Sequence, residues 1–175
     1  GKSLVVSISP QTDSVMDSNV GGFFGPFLKF SGFDALELQG KAEKDVIIFI
    51  DGINHKVELY EAPDAAPDSH VLVEQLTGIF ADSEDEKKNI GIVSTGSAAD
   101  HSLIGMLNFS FYDPRRKKIR LKQAGRGGIG TVFRNKKIRA LVCKIPGVKG
   151  NLNNVVDLEA IMERGKRFNR EIREL

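Results

Sequence analysis

Two glycine-rich stretches hold most of the residues in this sequence that could do chemistry. The first is Ser18-Asn19-Val20-Gly21-Gly22-Phe23-Phe24-Gly25. The second is Lys122-Gln123-Ala124-Gly125-Arg126-Gly127-Gly128-Ile129-Gly130. Glycine adopts positive φ without steric cost, so successive N–H groups in such a stretch can converge on one anion. A helix opening after the first stretch would add partial positive charge there. The second stretch adds Arg126, whose planar fork suits bidentate phosphate contact. Neither stretch contains Gly-Lys-Ser/Thr, so neither is a Walker loop. The second has no GxGxxG at the distance from a strand that a dinucleotide-binding unit requires. Taken alone, each cluster reads first as a turn. Two in one domain, one with an embedded arginine, bring the anion-binding reading level with it.

Other reactive residue types are scattered. Arg115-Arg116-Lys117-Lys118, Arg120 and Lys122 form a basic run. Ile119 and Leu121 alternate with the charges, so the run reads as a solvated strand face, with an anionic cofactor or partner surface as the functional alternative. Aromatic interleaving for nucleic acid is lacking. His55, His70 and His101 have no metal-ligand spacing. His101 alone falls in a small-residue loop, Ser94–Asp100 with its flank. Cys143 sits in an apolar strand, where cysteine behaves as a small buried hydrophobe. Asp82, Glu84, Asp85 and Glu86 are followed at once by Lys87 and Lys88 and read as self-neutralised surface. No catalytic triad, carboxylate dyad or activated nucleophile is visible.

The elements that must position these residues follow from punctuation and period. The spacing predicts strands at Ser3–Ser9, Asp34–Gln39, Asp45–Ile50, His55–Tyr60, Asn89–Val93, Leu103–Phe111 and Ile138–Ile145. It predicts helices at Phe23–Phe30, at Val71–Phe80 capped by Ser69, and at Val155–Leu175. Pro10–Gly22 reads as a loop, Asp51-Gly52 as a hairpin signal and Ala62–Asp68 as a linker. The terminal helix carries Phe168, Ile172 and Leu175 as a narrow apolar stripe amid charge, expected to pack on a helical domain or subunit outside this chain. The fold class is α+β, dominated by β-sheet, with short helices and a C-terminal helix. Regular strand–helix alternation, which a doubly wound parallel sheet needs, is absent.

Composition bounds the rest. The chain has 175 residues, of which 41% are hydrophobic, enough for one core without an apolar run of membrane-spanning length. A net charge of +2 gives no whole-protein reason to expect nucleic acid, and no membrane association is expected. One cysteine excludes an internal disulfide framework. No signal peptide is visible, which makes a reducing, cytoplasmic setting the expectation.

Longer ordered stretches carry a resemblance. Asn19-Val20-Gly21-Gly22-Phe23-Phe24-Gly25 is followed by Leu28-Lys29-Phe30-Ser31-Gly32-Phe33-Asp34-Ala35 and Leu38-Gln39-Gly40-Lys41-Ala42. Ala124-Gly125-Arg126-Gly127-Gly128-Ile129-Gly130 then leads to Lys136-Lys137-Ile138-Arg139-Ala140. In this order the segments resemble the N-terminal domain of the aldehyde ferredoxin oxidoreductase family, the tungsten–bispterin enzymes. The resemblance spans roughly residues 5 to 147.

The resemblance implies a β-rich domain that covers a large pterin cofactor from one side, here residues 1–150, with 151–175 leading toward a missing helical domain. Two molybdopterin-type dithiolenes would hold one tungsten, or molybdenum, atom, and magnesium would bridge their phosphates. By matching position, the main-chain carbonyls of Asn19 and Gln123 would take the magnesium. Gly21, Gly22, Lys122, Gln123, Gly125, Arg126 and Gly127 would face phosphates and pterin. Members usually carry Arg-Ala where this chain has Lys122-Gln123, so a carbonyl survives and a guanidinium fork is lost. The 4Fe–4S cluster of such enzymes takes four thiolates and would be ligated elsewhere. The family's first segment is missing, so the chain is expected to be a fragment or subunit. Its expected partners are the remaining domains or subunits, with ferredoxin for the whole enzyme, and a homodimer is among the allowed assemblies. The whole enzyme would oxidise aldehydes to acids or reduce a related carboxyl or thioester compound. The alternative is a non-enzymatic module that binds a phosphorylated ligand or a partner through the same loops.

Overall fold

The computed structural model describes residues 1–63, 68–147 and 155–175. Its centre is a six-stranded sheet built on three strands of almost unbroken apolar sequence. They are β3 (Val46–Asp51), β5 (Ile90–Ser94) and β8 (Ile138–Lys144). Every residue of β5 and β8 is buried, so both faces of these strands are covered. With β4 (Lys56–Glu61), β6 (Leu107–Asp113) and β7 (Lys118–Ala124), the sheet order is β4-β3-β8-β5-β6-β7. Only β3 and β8 run parallel; the other pairs are antiparallel.

Alternation along the central strands divides the core in two. Ile47, Phe49, Ile90, Ile92, Ala140 and Val142 pack against Leu72, Val73 and Leu76 of α2 (Ser69–Phe80). Ile48, Ile50, Val93, Leu141 and Cys143 face the opposite layer. That layer is made by α1 (Phe24–Phe30), α3 (Ile129–Asn135) and a separate antiparallel ribbon of β1 (Lys2–Ile8) and β2 (Val15–Gly21). A helix, α4 (Leu158–Glu174), completes the described chain and buries none of its residues. The architecture is the α+β class expected from the sequence, with strands predominating.

Several local expectations give way to tertiary context. Pro10–Gly22 is not a loop throughout: Val15–Gly21 pairs residue for residue with β1, from Ile8↔Val15 to Lys2↔Gly21. Its Asp, Ser and Asn composition disfavours a strand, but Ser18 and Val20 bury on one face while Asp17 and Asn19 stay exposed. Asp34–Gln39 has the right alternation and forms no strand; Leu36 and Leu38 simply pack against the core as irregular chain. The strand expected from Leu103 begins only at Leu107. The hairpin signal at Asp51-Gly52 is realised as a four-residue loop, in which the Asp51 carboxylate accepts from the backbone N–H groups of Ile53 and Asn54. The cap of α2 is Asp68, which accepts from His70 and Val71 N–H at 2.7 and 2.9 Å; Ser69 is the first helical residue. Helix α3 had no expectation at all. The terminal helix begins at Leu158. Residues 64–67 of the expected linker and 151–154 of the expected terminal segment lie outside the described residues.

Candidate anion-binding site at the meeting of two glycine-rich segments

The ribbon brings the end of β2 against the end of β7, about a hundred residues away in sequence. The backbone N–H of Arg126 donates to Ser18 Oγ at 3.3 Å, and Ser18 is itself buried. A Cβ built on Gly127 would stand 2.6 Å from Met16 Cβ, so the second segment lies flush against β2. A Cβ on Gly21 would come within 3.6 Å of Lys122 Nζ. The structure therefore joins the two candidate stretches into one site. Asn19, Lys122, Gln123, Gly125 and Arg126 are exposed there, and Gly21, Gly22 and Gly127 are half-buried.

The local chain explains this shape. Gly127 and Gly128 take φ of +69° and +64°, the left-handed turn that carries the chain from β7 into α3. Gly128 also lies against the Leu103 carbonyl, where a Cβ would be only 2.1 Å from the oxygen. By contrast, Gly22 and Gly125 have nothing within 4 Å of a built Cβ, so their backbones border open space. That is the geometry that lets a ligand approach main-chain groups. Helices α1 and α3 have seven residues each, so the helix-terminus charge expected there adds little.

Gly125–Gly130 does spell GxGxxG between a strand and a helix. Yet β7 is an edge strand antiparallel to β6, and the helix leads to β8, which is not its neighbour. A dinucleotide-binding βαβ unit is excluded on topology.

Electrostatically the site has free cations. Arg126 makes no ion pair among the described residues: Asp100 is taken by Arg134 at 3.0 Å and Asp113 by Arg116 at 2.9 Å. Lys122 Nζ lies 5.6 Å from the centre of the Phe111 ring, which meets Phe23 edge-on at 5.8 Å. Lys118 and Arg120 continue this exposed row along β7, while Ile119 and Leu121 turn inward, as the alternation implies. No motif in the sequence marks the polar chain behind Gln123. Its Nε2 donates to Asn108 Oδ1 at 3.3 Å, and Asn108 Nδ2 donates to Ser69 Oγ at 2.9 Å. Only the strand register, Asn108↔Gln123, makes that chain visible.

The remaining candidates lie apart. His55, His70 and His101 are all exposed. Cys143 is buried against Ser31, Sγ to Oγ 3.2 Å, and burial pushes its thiol up to about 11, which leaves it unreactive. In the acidic turn, Lys87 pairs with Glu84 and Lys88 with Asp85 at 2.6 Å each, while Asp82 and Glu86 hold the mostly buried Lys144. Among the described residues no group of three or more His, Cys, Asp or Glu could hold a metal ion, and no helix is long and apolar enough to cross a membrane.

The β-rich layer thus closes the two glycine-rich segments into one exposed, cation-flanked cradle. Residues 1–145 match the family described as aldehyde ferredoxin oxidoreductase, N-terminal domain, and the chain belongs to that family. Tungsten-containing aldehyde ferredoxin oxidoreductase from Pyrococcus furiosus is 34% identical over 145 residues, covering 81% of this chain. The enzyme of the same name from Thermococcus kodakarensis is 33% identical over 153 residues, also 81% of this chain. This chain spans 21% of the length of each. Among solved structures, the active-site complex BamBC of benzoyl coenzyme A reductase with 1,5-dienoyl-CoA is similar at 26% identity and a TM-score of 0.65. That match covers 82% of this chain and 20% of the other.

Proposed function

We propose that this chain forms one wall of the cofactor site of a tungsten-type bispterin oxidoreductase. The observation that carries the reading is the convergence of the two glycine-rich segments around an exposed Arg126 that has no carboxylate partner among the described residues. Open space beyond Gly22 and Gly125, with Lys122 beside Gly21, fits a ligand rich in phosphate oxygens. In this reading the main chain of Gly21, Gly22, Gly125 and Gly127 borders phosphate and pterin, and Lys122 and Arg126 supply charge-assisted hydrogen bonds. The main-chain carbonyls of Asn19 and Gln123 would hold magnesium in this reading. When bound, the metal–dithiolene group supplies two-electron redox chemistry; the protein supplies binding, orientation and electrostatics.

The names of the relatives support oxidation of an aldehyde to an acid by the whole enzyme, with ferredoxin as electron acceptor. The benzoyl coenzyme A reductase neighbour supports a thioester or related carboxyl compound as the other substrate class. An iron–sulfur cluster in such an enzyme would draw its thiolates from outside this chain, since Cys143 is single and buried. The expected cellular setting is the cytoplasm.

The test is tungsten and pterin content of the assembly containing this chain, alongside a melting curve of the metal-free form. Arg126→Lys keeps the charge and loses the fork, and Arg126→Ala loses both. A charge-assisted hydrogen bond contributes about 1.5–3 kcal/mol, roughly 10- to 100-fold in affinity. Reduced occupancy with unchanged metal-free melting is expected, with Arg126→Ala the more affected. Full occupancy in both variants would overturn the cofactor role of Arg126 and favour a phosphate-ligand or partner-binding module.

A further inference from the structure

The positive charge beside the cradle extends past it. Lys118, Arg120 and Lys122 stand exposed on one face of β7, and their backbones span about 13 Å. The strand register sets Asp113, Phe111 and Phe109 opposite them on β6. The centre of the Phe111 ring lies 6.0 Å from the Arg120 guanidinium and 5.6 Å from Lys122 Nζ. Phe23, next to Gly22, meets Phe111 edge-on, stacks on Phe27 at 5.9 Å and is still 48% exposed. This row of cations is left with little negative charge of its own. Asp113 stands 3.8 Å from Arg120 but is held by Arg116 at 2.9 Å, and Lys118 and Lys122 make no ion pair among the described residues. Whatever covers the strip must therefore bring negative charge to it.

We propose that this strip binds the nucleotide end of a coenzyme A thioester, which makes a thioester the substrate class of the adjoining cofactor site. The proposal rests on the cofactor reading of that site. Coenzyme A ends in an adenosine that carries a diphosphate and a further phosphate on its ribose. Those anions are spread too widely for one cation, and Lys118, Arg120 and Lys122 offer a row of them, with Arg120 able to take a phosphate by its planar fork. The adenine ring is flat, and bases stack on exposed aromatic side chains such as Phe23. An acidic protein surface needs charge alone and has no use for that ring. The strip is also continuous with the cradle, since Lys122 lies beside Gly21. A group held on the strip can thus be joined by one flexible arm to a reacting carbonyl at the cofactor. A simple aldehyde carries no phosphate and leaves the row without a role.

The experiment is equilibrium dialysis of coenzyme A against the assembly containing this chain, with tungsten and pterin content measured on the same samples. Saturable binding is expected, with pantetheine, which lacks the nucleotide, weaker by about tenfold or more. Arg120→Ser should weaken coenzyme A about three- to tenfold, and adding Lys118→Ser should weaken it further. Tungsten and pterin should stay at the parent level in both variants, because these side chains stand outside the cradle. Phe23→Leu should weaken coenzyme A and leave binding of inorganic pyrophosphate unchanged. An assembly that holds tungsten and pterin but does not bind coenzyme A overturns the proposal and leaves the cofactor reading standing. An assembly without tungsten or pterin overturns both. Equal binding of pantetheine and coenzyme A, or coenzyme A binding indifferent to the paired charge substitutions, also overturns the proposal.

Discussion

Lys122 and Arg126 flank the candidate site with different chemistry. The ammonium of Lys122 is a compact charge beside Gly21, whereas Arg126 brings a rigid fork between two glycines. Both residues were legible in the sequence as chemistry-bearing types. Their convergence with Ser18 and Met16 was not, because it depends on β1–β2 pairing, a contact between segments rather than a property of either one. Asp113 shows how the site's surroundings keep their charges occupied. It accepts from Arg115 and Arg116 N–H and pairs with the Arg116 guanidinium. The hydrogen bond from the Arg116 side chain, with the backbone donors, holds its carboxyl below the usual value near 3.8. A lowered folded-state pKa means stability fully present above the unfolded value and lost as pH falls through the folded one. Asp113→Asn should therefore lower the urea midpoint at pH 7. The gap from the parent protein should start closing near pH 4 and vanish below the folded value. Urea titrations from pH 7 to pH 2 check this, and a gap that persists at the lowest pH contradicts it.

At the scale of elements, burial on both faces decided what could be read. Strands β3, β5 and β8 announce themselves as continuous apolar runs because layers cover them on both sides. Strand β2 does not, since Asp17, Ser18 and Asn19 carry turn chemistry and only the partner strand overrides it. The segment 34–39 fails in the opposite way, with alternation but no sheet edge to receive it. Helix α3 was hidden by the glycines before it, which look like pure turn. Two of those glycines separate structure from function. Gly128→Ala places a Cβ 2.1 Å from the Leu103 carbonyl at φ +64°, and should destabilise the metal-free domain by about 3 kcal/mol, from a strained left-handed residue plus the clash. Gly125→Ala meets nothing within 4 Å and needs no positive φ. It should change metal-free stability by less than about 0.5 kcal/mol while lowering cofactor occupancy, because the methyl group enters the space a ligand would use. Denaturant melts together with metal content of the assembly test the pair. Equal destabilisation by both substitutions would mean that the open space beyond Gly125 is not there.

The whole molecule is uneven in how it is held. Among the described residues, both hydrophobic clusters draw only on Val5 to Ile145, and every element they join lies between β1 and β8. Ion pairs reinforce that unit: Arg134 ties α3 to Asp45 and Asp100 at 2.9 and 3.0 Å, and mostly buried Lys144 ties β8 to Asp82 at 2.7 Å. Helix α4 contributes none of this. Its own order comes from the Asp157 cap on Ala160 N–H and the Arg167–Glu171 pair. A chain ending at Asp157 should therefore keep the melting temperature of the 175-residue chain to within about 2 °C, the shift expected when no buried contact is lost. Calorimetry on the two chains gives the reading. A drop of ten degrees or more in the shorter chain would place α4 within the cooperative core.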